Sequence, residues 1–337
     1  MIVTRTPVRI SFLGGGTDYP EHFLKHGGQT LGVSIDKYSY VSVKRMAPLF
    51  DYSIRVGYSR TETVHDREEI QHPSVRECLR FLDLHGPLEI HYIGDLPART
   101  GLGSSSSFTV GLLHALHALK GERPSQQQLA EEAVHVEREM IRENVGVQDQ
   151  YTCALGGFLH LTYLAGSGDI RPTRLTIPPH RMADLESHLM LFHTGLVRHA
   201  HEVLVEQLAN TREGRISREL TTLSALVDQG LELLQSERPI SQFGEILDRA
   251  WMSKRRLSSR ITSERIDGIY NSARAAGAAG GKLLGAGGGG FFLVVAAPER
   301  HADILQALEG SARSVQVSTE ATGSKIAYQE LKDAEPT

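Results

Sequence analysis

The sequence predicts a two-domain protein in which strands and helices are mixed, and three observations carry that expectation. A chain of 337 residues is long for a single hydrophobic core. Strand-like runs and helical patterns both occur in each half. Between the halves lies a polar, proline-bearing stretch, "GSGDIRPTRLTIPPHRMADLE", which places a boundary within Pro172 to Leu185 and sets residues 1–180 apart from 181–337. Hydrophobic residues at 40% and charged residues at 23% are ordinary for a folded, soluble chain.

Taken in order, "VRISFL" reads as a strand and "GGGTDYP" as a turn. In "YSYVSVKRM", Tyr38, Tyr40, Ser42 and Lys44 alternate with Ser39, Val41 and Val43, the period of a half-buried strand. "LEIHYIGDLP" is a further strand, stopped by Pro97. Phe108, Leu112, Ala115, Leu116 and Leu119 recur at helical spacing, and Gly121 closes that helix. Ser125 with Gln128 has the form of a capping box, opening a helix whose apolar line runs from Leu129 to Ile141. "GGFLHLTYL" returns to strand character. Past the boundary, "HLMLFHTG" is a strand, and helical patterns span 199–235, 241–257 and 266–276. "KLLGAGGGGFFLVVAA" is a glycine-rich turn feeding a buried strand, and residues 302–310 form a short helix. The final "KDAEPT" is expected to fray.

Several function classes fall away early. A net charge of −4 gives no bulk electrostatic case for nucleic acid or an anionic membrane. Two cysteines, Cys78 and Cys153, exclude a disulfide framework and fit a reducing compartment. The first residues lack the apolar core of a secretory signal, and "FFLVVAA" is far short of a membrane span, so a cytoplasmic location is expected. The sixteen histidines show no metal-ligand spacing, and Gly103, Ser105 and Gly111 do not make a hydrolase nucleophile elbow.

Three glycine clusters hold the chemistry. "PARTGLGSSSSFTVG" (residues 97–111) runs straight into an amphipathic helix. A glycine-rich turn there presents unpaired N–H groups and the positive end of the helix dipole, which together bind phosphate. An ordinary helix-capping turn fits the same stretch. No lysine follows Gly103, so it is not a Walker A loop, and Ser106 stands where a dinucleotide fingerprint needs its third glycine. In "RTPVRISFLGGGTDYP", Asp18 suits a fork onto two sugar hydroxyls, or an Asx-turn or helix cap before Pro20. Arg9, inside an apolar strand pattern, is a strand-end cation or a site cation. The four glycines 287–290 each cost roughly 0.5–1 kcal/mol against alanine in a regular element. Either a close approach by a ligand or another chain segment, or a tight turn, accounts for them.

Two carboxylates complete the set. Glu137 falls on the apolar helical stripe with Ala130, Ala133, Val134 and Ile141, whereas Glu131, Glu132 and Glu139 lie outside it. Its burial demands a cation, either a metal ion or a neighbouring arginine. Asp149, in "GVQDQ", is an N-cap or a base.

Together these residues resemble the GHMP kinase family of small-molecule kinases. "PVRISFLGGGTDY" matches its sugar-kinase form P-x-R-x-x-x-x-G-x-x-T-D-Y, "PARTGLGSSSS" its P-x-x-x-G-L-G-S-S element, and "KLLGAGGGG" its C-terminal K-x-x-G-A-G-x-G-G. The resemblance implies an α+β fold of two domains, the first like ribosomal protein S5 domain 2 and the second ferredoxin-like. It implies ATP and Mg²⁺, with the phosphates on Gly101, Leu102, Gly103, Ser104, Ser105 and Ser106 and the metal on Ser105 and Glu137. It makes Asp149 the catalytic base and Arg9 the cation beside the acceptor hydroxyl. Gly15, Gly16, Thr17, Asp18, Tyr19, Gly287 and Gly288 would line the sugar. Galactokinases carry Glu-His where Gly15 and Gly16 stand here, and "RISFLGGGTDY", "HTGLVRHA" and "WMSKRRLSS" look most like the branch acting on D-glycero-D-manno-heptose 7-phosphate. Such a substrate calls for a cationic clamp, for which Arg198 and Lys254 are the candidates, and Arg255 and Arg256 are weaker ones. An enzyme for an unphosphorylated sugar, of fucokinase or galactokinase type, is the alternative, and a non-catalytic sensor a more remote one. Expected partners are a small sugar phosphate and ATP, with no nucleic acid or membrane, in a monomer or homodimer.

Overall fold

The computed structural model describes residues 1–98, 100–196 and 200–330. The strands are β1 (Ile2–Leu13), β2 (Gly28–Arg45), β3 (Ile54–Gly57), β4 (Thr61–Val64), β5 (Leu88–Gly94), β6 (Phe158–Tyr163), β7 (Ile170–Arg174), β8 (Leu189–His193), β9 (Gly280–Leu283), β10 (Phe291–Val295), β11 (Arg313–Val315) and β12 (Lys325–Gln329). They make two sheets. One runs β12-β1-β2-β5-β3-β4, with β6 joined to β2 and β7 to β6; the other runs β11-β8-β10-β9. The helices are α1 (Pro20–His26), α2 (Pro73–Phe81), α3 (Ser104–Lys120), α4 (Gln126–His135), α5 (Gln148–Leu155), α6 (Pro179–His188), α7 (Ala200–Arg212), α8 (Ser217–Leu234), α9 (Ser241–Lys254), α10 (Glu264–Ala275) and α11 (His301–Ala307). The fold is thus α+β. We propose the domain division at 180/181: β1–β7 precede it and β8–β11 follow, while β12 returns to pair with β1.

Local signals explain most elements. Ser39, Val41 and Val43 are buried on β2 while Tyr38, Tyr40 and Ser42 are half-exposed, as the alternation predicts. Gly121 caps α3 at φ 83°. The Ser125 hydroxyl accepts from the Gln128 N–H, although the Gln128 side chain turns forward to Glu132 instead of closing the capping box.

Two helical expectations need correction. The pattern over 199–235 is two helices, interrupted at Gly214 with φ 73°. The helix expected through Ile141 ends at His135, and Val136–Met140 continues as a single π-turn. An added residue in a turn re-aims side chains, and such turns occur often at functional sites.

Packing sets the position of the phosphate-loop segment. Helix α3 lies on β1 and β2. It crosses β1 closely at Gly111, whose carbonyl accepts from Thr4 Oγ1 at 2.9 Å and where a Cβ would crowd Thr6 Oγ1. The second sheet, with α8, α9 and α10, encloses a core built around Trp251, Phe243 and Phe292. Among the described residues no helix is long and apolar enough to cross a membrane.

Candidate active site

A cleft of about 1150 Å³ opens between the two sheets' domains. Its walls come from β1 and the turn after it, the loop before α3, the segment between the π-turn and α5, and the loop between β9 and β10.

The loop before α3 is fixed from both sides. Gly101 and Gly103 have φ 84° and 72°, a region glycine enters without strain. The Phe291 N–H donates to the Thr100 carbonyl, and a Cβ on Gly285 would lie 2.5 Å from Gly101 Cα. The glycine-rich C-terminal loop therefore earns its composition by close approach to the phosphate-loop segment, the chain-segment alternative stated above. Gly103 is the N-cap of α3, so the first-turn N–H groups of Ser104 to Ser106 have no intrahelical acceptor. Ser104 and Ser105 line the cleft.

Arg9 is central to β1 and 3% exposed, which makes it a site cation and not a strand-end one. Its Nε and Nη2 donate to Asp149 Oδ1 and Oδ2 at 2.7 and 2.5 Å, and its Nη1 donates to the Gly101 carbonyl at 2.7 Å. Burial opposes the guanidinium's charge, but Asp149 outweighs it and holds Arg9 above its ordinary range. Asp149 sits in the first turn of α5 with Val147 as the N-cap, so the capping alternative is discarded.

Glu137 is fully buried on the π-turn. Among the described residues no arginine pairs with it. Its Oε2 accepts from Ser106 Oγ at 2.9 Å and Gln150 Nε2 at 2.5 Å, and its Oε1 has no hydrogen-bond partner among the described residues. Burial pushes the carboxyl up to about 7. An orphaned buried carboxylate oxygen beside the Ser106 hydroxyl in the first turn of α3 is a donor set that fits Mg²⁺, a hard cation taking oxygen ligands. The serine touching Glu137 is Ser106; Ser105 faces the cleft.

Asp18 is 1% exposed and lines the cleft. Its Oδ1 accepts from the Gly16 N–H and its Oδ2 from Gln148 Nε2, both at 2.9 Å, and burial raises its pKa. Gln148 in turn accepts from Ser11 Oγ at 2.7 Å. Gly146 packs so tightly that a Cβ there would overlap Asp18 Oδ2. The N-cap of α1 is Tyr19, not Asp18.

Gly15, Gly16, Tyr19, Lys254 and Gly287 also line the cleft. Leu102, Ser106, Glu137, Thr17 and Gly288 do not. Leu102 is buried in the core, Thr17 spends its hydroxyl on the Gly14 and Gln29 carbonyls, and the Gly288 N–H donates to Ile261. Ser106 and Glu137 lie buried behind the wall, hydrogen-bonded to each other, and all five residues shape the site without lining it. Arg198 lies outside the described residues. Arg255 pairs with Asp267 at 2.8 Å. Lys254 donates to the Leu283 and Gly285 carbonyls, and burial followed by Arg9 lowers it to about 7.

Sequence reasoning missed Gln148, Lys282 and an aromatic end of the cleft formed by Tyr58, His72, Tyr92 and Phe108. Lys282 carried a signal, a lysine opening the "KLLG" run of a buried strand. The aromatic residues come from separate elements and carried none.

In sequence and fold the chain is similar to known small-molecule kinases. The model for the GHMP kinases N terminal domain matches residues 73–157, and that for GHMP kinases C terminal matches residues 231–308. D-glycero-alpha-D-manno-heptose 7-phosphate kinase of Campylobacter jejuni is 25% identical over 298 residues, spanning 82% of this chain and 84% of that protein. L-fucokinase/L-fucose-1-P guanylyltransferase of Bacteroides fragilis is 25% identical over 303 residues, 79% of this chain but 31% of that longer protein. The crystal structure of a D-glycero-D-manno-heptose 1-phosphate kinase from Bacteroides thetaiotaomicron shares the fold, with a TM-score of 0.80 at 19% identity over 98% of this chain and 100% of that one.

Proposed function

We propose that this chain, which belongs to the GHMP kinase family, transfers the γ-phosphoryl group of ATP to the anomeric hydroxyl of D-glycero-D-manno-heptose 7-phosphate. The product is the 1,7-bisphosphate, and the setting is cytoplasmic synthesis of nucleotide-activated heptose for capsule or lipopolysaccharide. The observation that carries the reading is Arg9, which ties the Asp149 carboxylate to the Gly101 carbonyl of the phosphate-loop segment in one cleft with Asp18.

The roles follow from the surroundings of each group. The free N–H groups at the start of α3 and the loop from Gly101 to Ser105 take the triphosphate. The aromatic end at Tyr58, His72, Tyr92 and Phe108 takes the base. Ser105 and Glu137 would hold Mg²⁺, with Ser106 and Gln150 orienting the carboxylate. When bound, the divalent ion neutralises phosphate charge that builds in the transition state. Asp18 accepts from sugar hydroxyls and orients the ring. Asp149 receives the proton of the anomeric hydroxyl, and Arg9 stabilises the oxygen as negative charge develops. Phosphoryl transfer asks mainly for positioning and charge neutralisation, which these residues provide.

Measured kcat/KM for heptose 7-phosphate, free heptose, L-fucose and galactose tests the reading. A preference of about 10²-fold or more for the 7-phosphate is expected, and a preference for a free sugar overturns it. An unphosphorylated acceptor is the second reading, favoured by a fucokinase relative as similar in sequence as the heptose-phosphate kinase.

A further inference from the structure

We propose that Lys254 and Lys282 form a buried anion subsite at the Asp18 end of the cleft, which takes the phosphate monoester that the acceptor already carries. The proposal rests on the reading that the acceptor is a phosphorylated sugar.

Both side chains line the cleft although the residues are only 7% and 4% exposed. Lys282, on β9, donates to the Ser11 and Phe12 carbonyls, both at 2.8 Å. Lys254, at the end of α9, donates to the Leu283 and Gly285 carbonyls at 2.9 and 2.5 Å. An ammonium group has three N–H donors. Each lysine thus keeps one beyond its two carbonyl bonds. Among the described residues neither makes an ion pair with a carboxylate, and the nearby acids are engaged. Asp149 is gripped by Arg9, and Asp18 is held by the neutral donors of Gly16 and Gln148, so that one carboxylate faces two ammonium groups and leaves positive charge in excess.

Carbonyl bracing alone is a poor reason to bury two ammonium groups in one wall. Taking a charge out of water is expensive unless a counter-charge compensates, and a neutral donor would brace the same carbonyls. A phosphate dianion in the cleft supplies the missing charge. For Lys282 the acceptor end follows from its anchors, whereas Lys254, held by Gly285 where that glycine packs on Gly101, sits between the acceptor end and the phosphate loop. Ser11 and Phe12 precede the turn that carries Asp18, and the Ser11 hydroxyl reaches Asp18 through Gln148. Glu137 and the start of α3 belong to the nucleotide end. The groups facing the two lysines are Arg9, Asp18 and Asp149. Burial lowers both ammonium groups, Lys282 well below its ordinary range, so a bound dianion should draw protons onto them.

The test uses the full chain with Lys254→Met and Lys282→Met. Each variant should raise KM for heptose 7-phosphate about 10- to 100-fold. It should leave KM for free heptose and for ATP within about twofold and change kcat little. Equal rises for phosphorylated and free sugar mean bracing only and overturn the subsite. A rise confined to ATP assigns the lysines to the nucleotide and also overturns it. If a different sugar phosphate proves the preferred acceptor and the variants lose it selectively, the subsite stands and the heptose reading falls. Inorganic phosphate on the wild-type enzyme keeps the proposal falsifiable should a variant fail to fold. Inhibition competitive with the sugar phosphate and not with ATP is expected, and the reverse pattern overturns the proposal.

Discussion

Glu137 and Asp149 flank one short segment yet meet opposite electrostatic surroundings. On the π-turn, Glu137 is fully buried among neutral donors and keeps one oxygen without a hydrogen-bond partner among the described residues. In the first turn of α5, both oxygens of Asp149 are gripped along one edge of a guanidinium. The difference teaches that the role of a carboxylate here is set by the cation it already has. Asp149 arrives with its counter-charge and is kept oriented. Glu137 lacks one and is poised to receive it.

The comparison breaks most visibly at Asp149. Asp149→Asn should lower kcat by about 10²- to 10⁴-fold while ATP binding by calorimetry stays near wild type. Unchanged turnover would remove Asp149 as the base, and absence of turnover in the wild type would favour a sensor. At the other carboxylate, Glu137→Gln should abolish the rise in Tm that Mg²⁺ gives the wild type; an equal rise in both would take Glu137 out of the metal site. The same variant sharpens the electrostatics in metal-free buffer. Burial raises the folded carboxyl to about 7 from its ordinary 4.5, so the folded state binds the extra proton. The associated stability is full below about pH 4.5 and is lost as pH rises through 7, amounting to a few kcal/mol. Urea midpoints of wild type and Glu137→Gln should therefore diverge between pH 5 and 8, and parallel curves would contradict the assigned burial cost.

A smaller effect tests the segment between the two carboxylates. Gly146→Ala places a methyl group on Asp18 Oδ2 and should raise KM for the sugar about tenfold with less change in kcat. An unaltered KM would show that Asp18 does not grip the sugar. The smallest effect lies outside the cleft, where a cation sits between carboxylates. Burial opposes protonation of His117, but its hydrogen bonds to Glu132 and Glu122 prevail and raise its pKa. Its contribution to stability is present below about pH 6.5 and lost as pH rises through the raised value. His117→Gln should flatten that modest decline in urea midpoint; a decline of the same size in the variant would assign it to other groups.

Much of the site was legible because its parts are local. The Gly101–Gly103 turn before a helix, Asp18 after three glycines, and Glu137 on an apolar stripe are each visible within a dozen residues. Their elements followed from periodicity and caps, as Gly121 and Ser125 illustrate. The π-turn was not legible, since apolar spacing through Ile141 continues whether or not the helix takes an added residue. Thr17 and Gly288 match a motif yet face away from the cleft, because a pattern fixes residue type and not the direction of a side chain.

By itself, the sequence determined an α+β chain with three glycine turns, a buried carboxylate in need of a cation, and the residues of a kinase motif set. Tertiary structure alone decided which partner each group meets. Arg9 finds Asp149 across the fold, Gln148 finds Asp18, Gly285 meets Gly101, and Lys254 and Lys282 reach the same wall of the cleft. The physical reason is range. Backbone propensity and periodicity act over a few residues, whereas these contacts form only when distant elements pack, α5 against β1 for the carboxylates and the second sheet against the first for Gly285 and the lysines, and it is there that the charges acquire their roles.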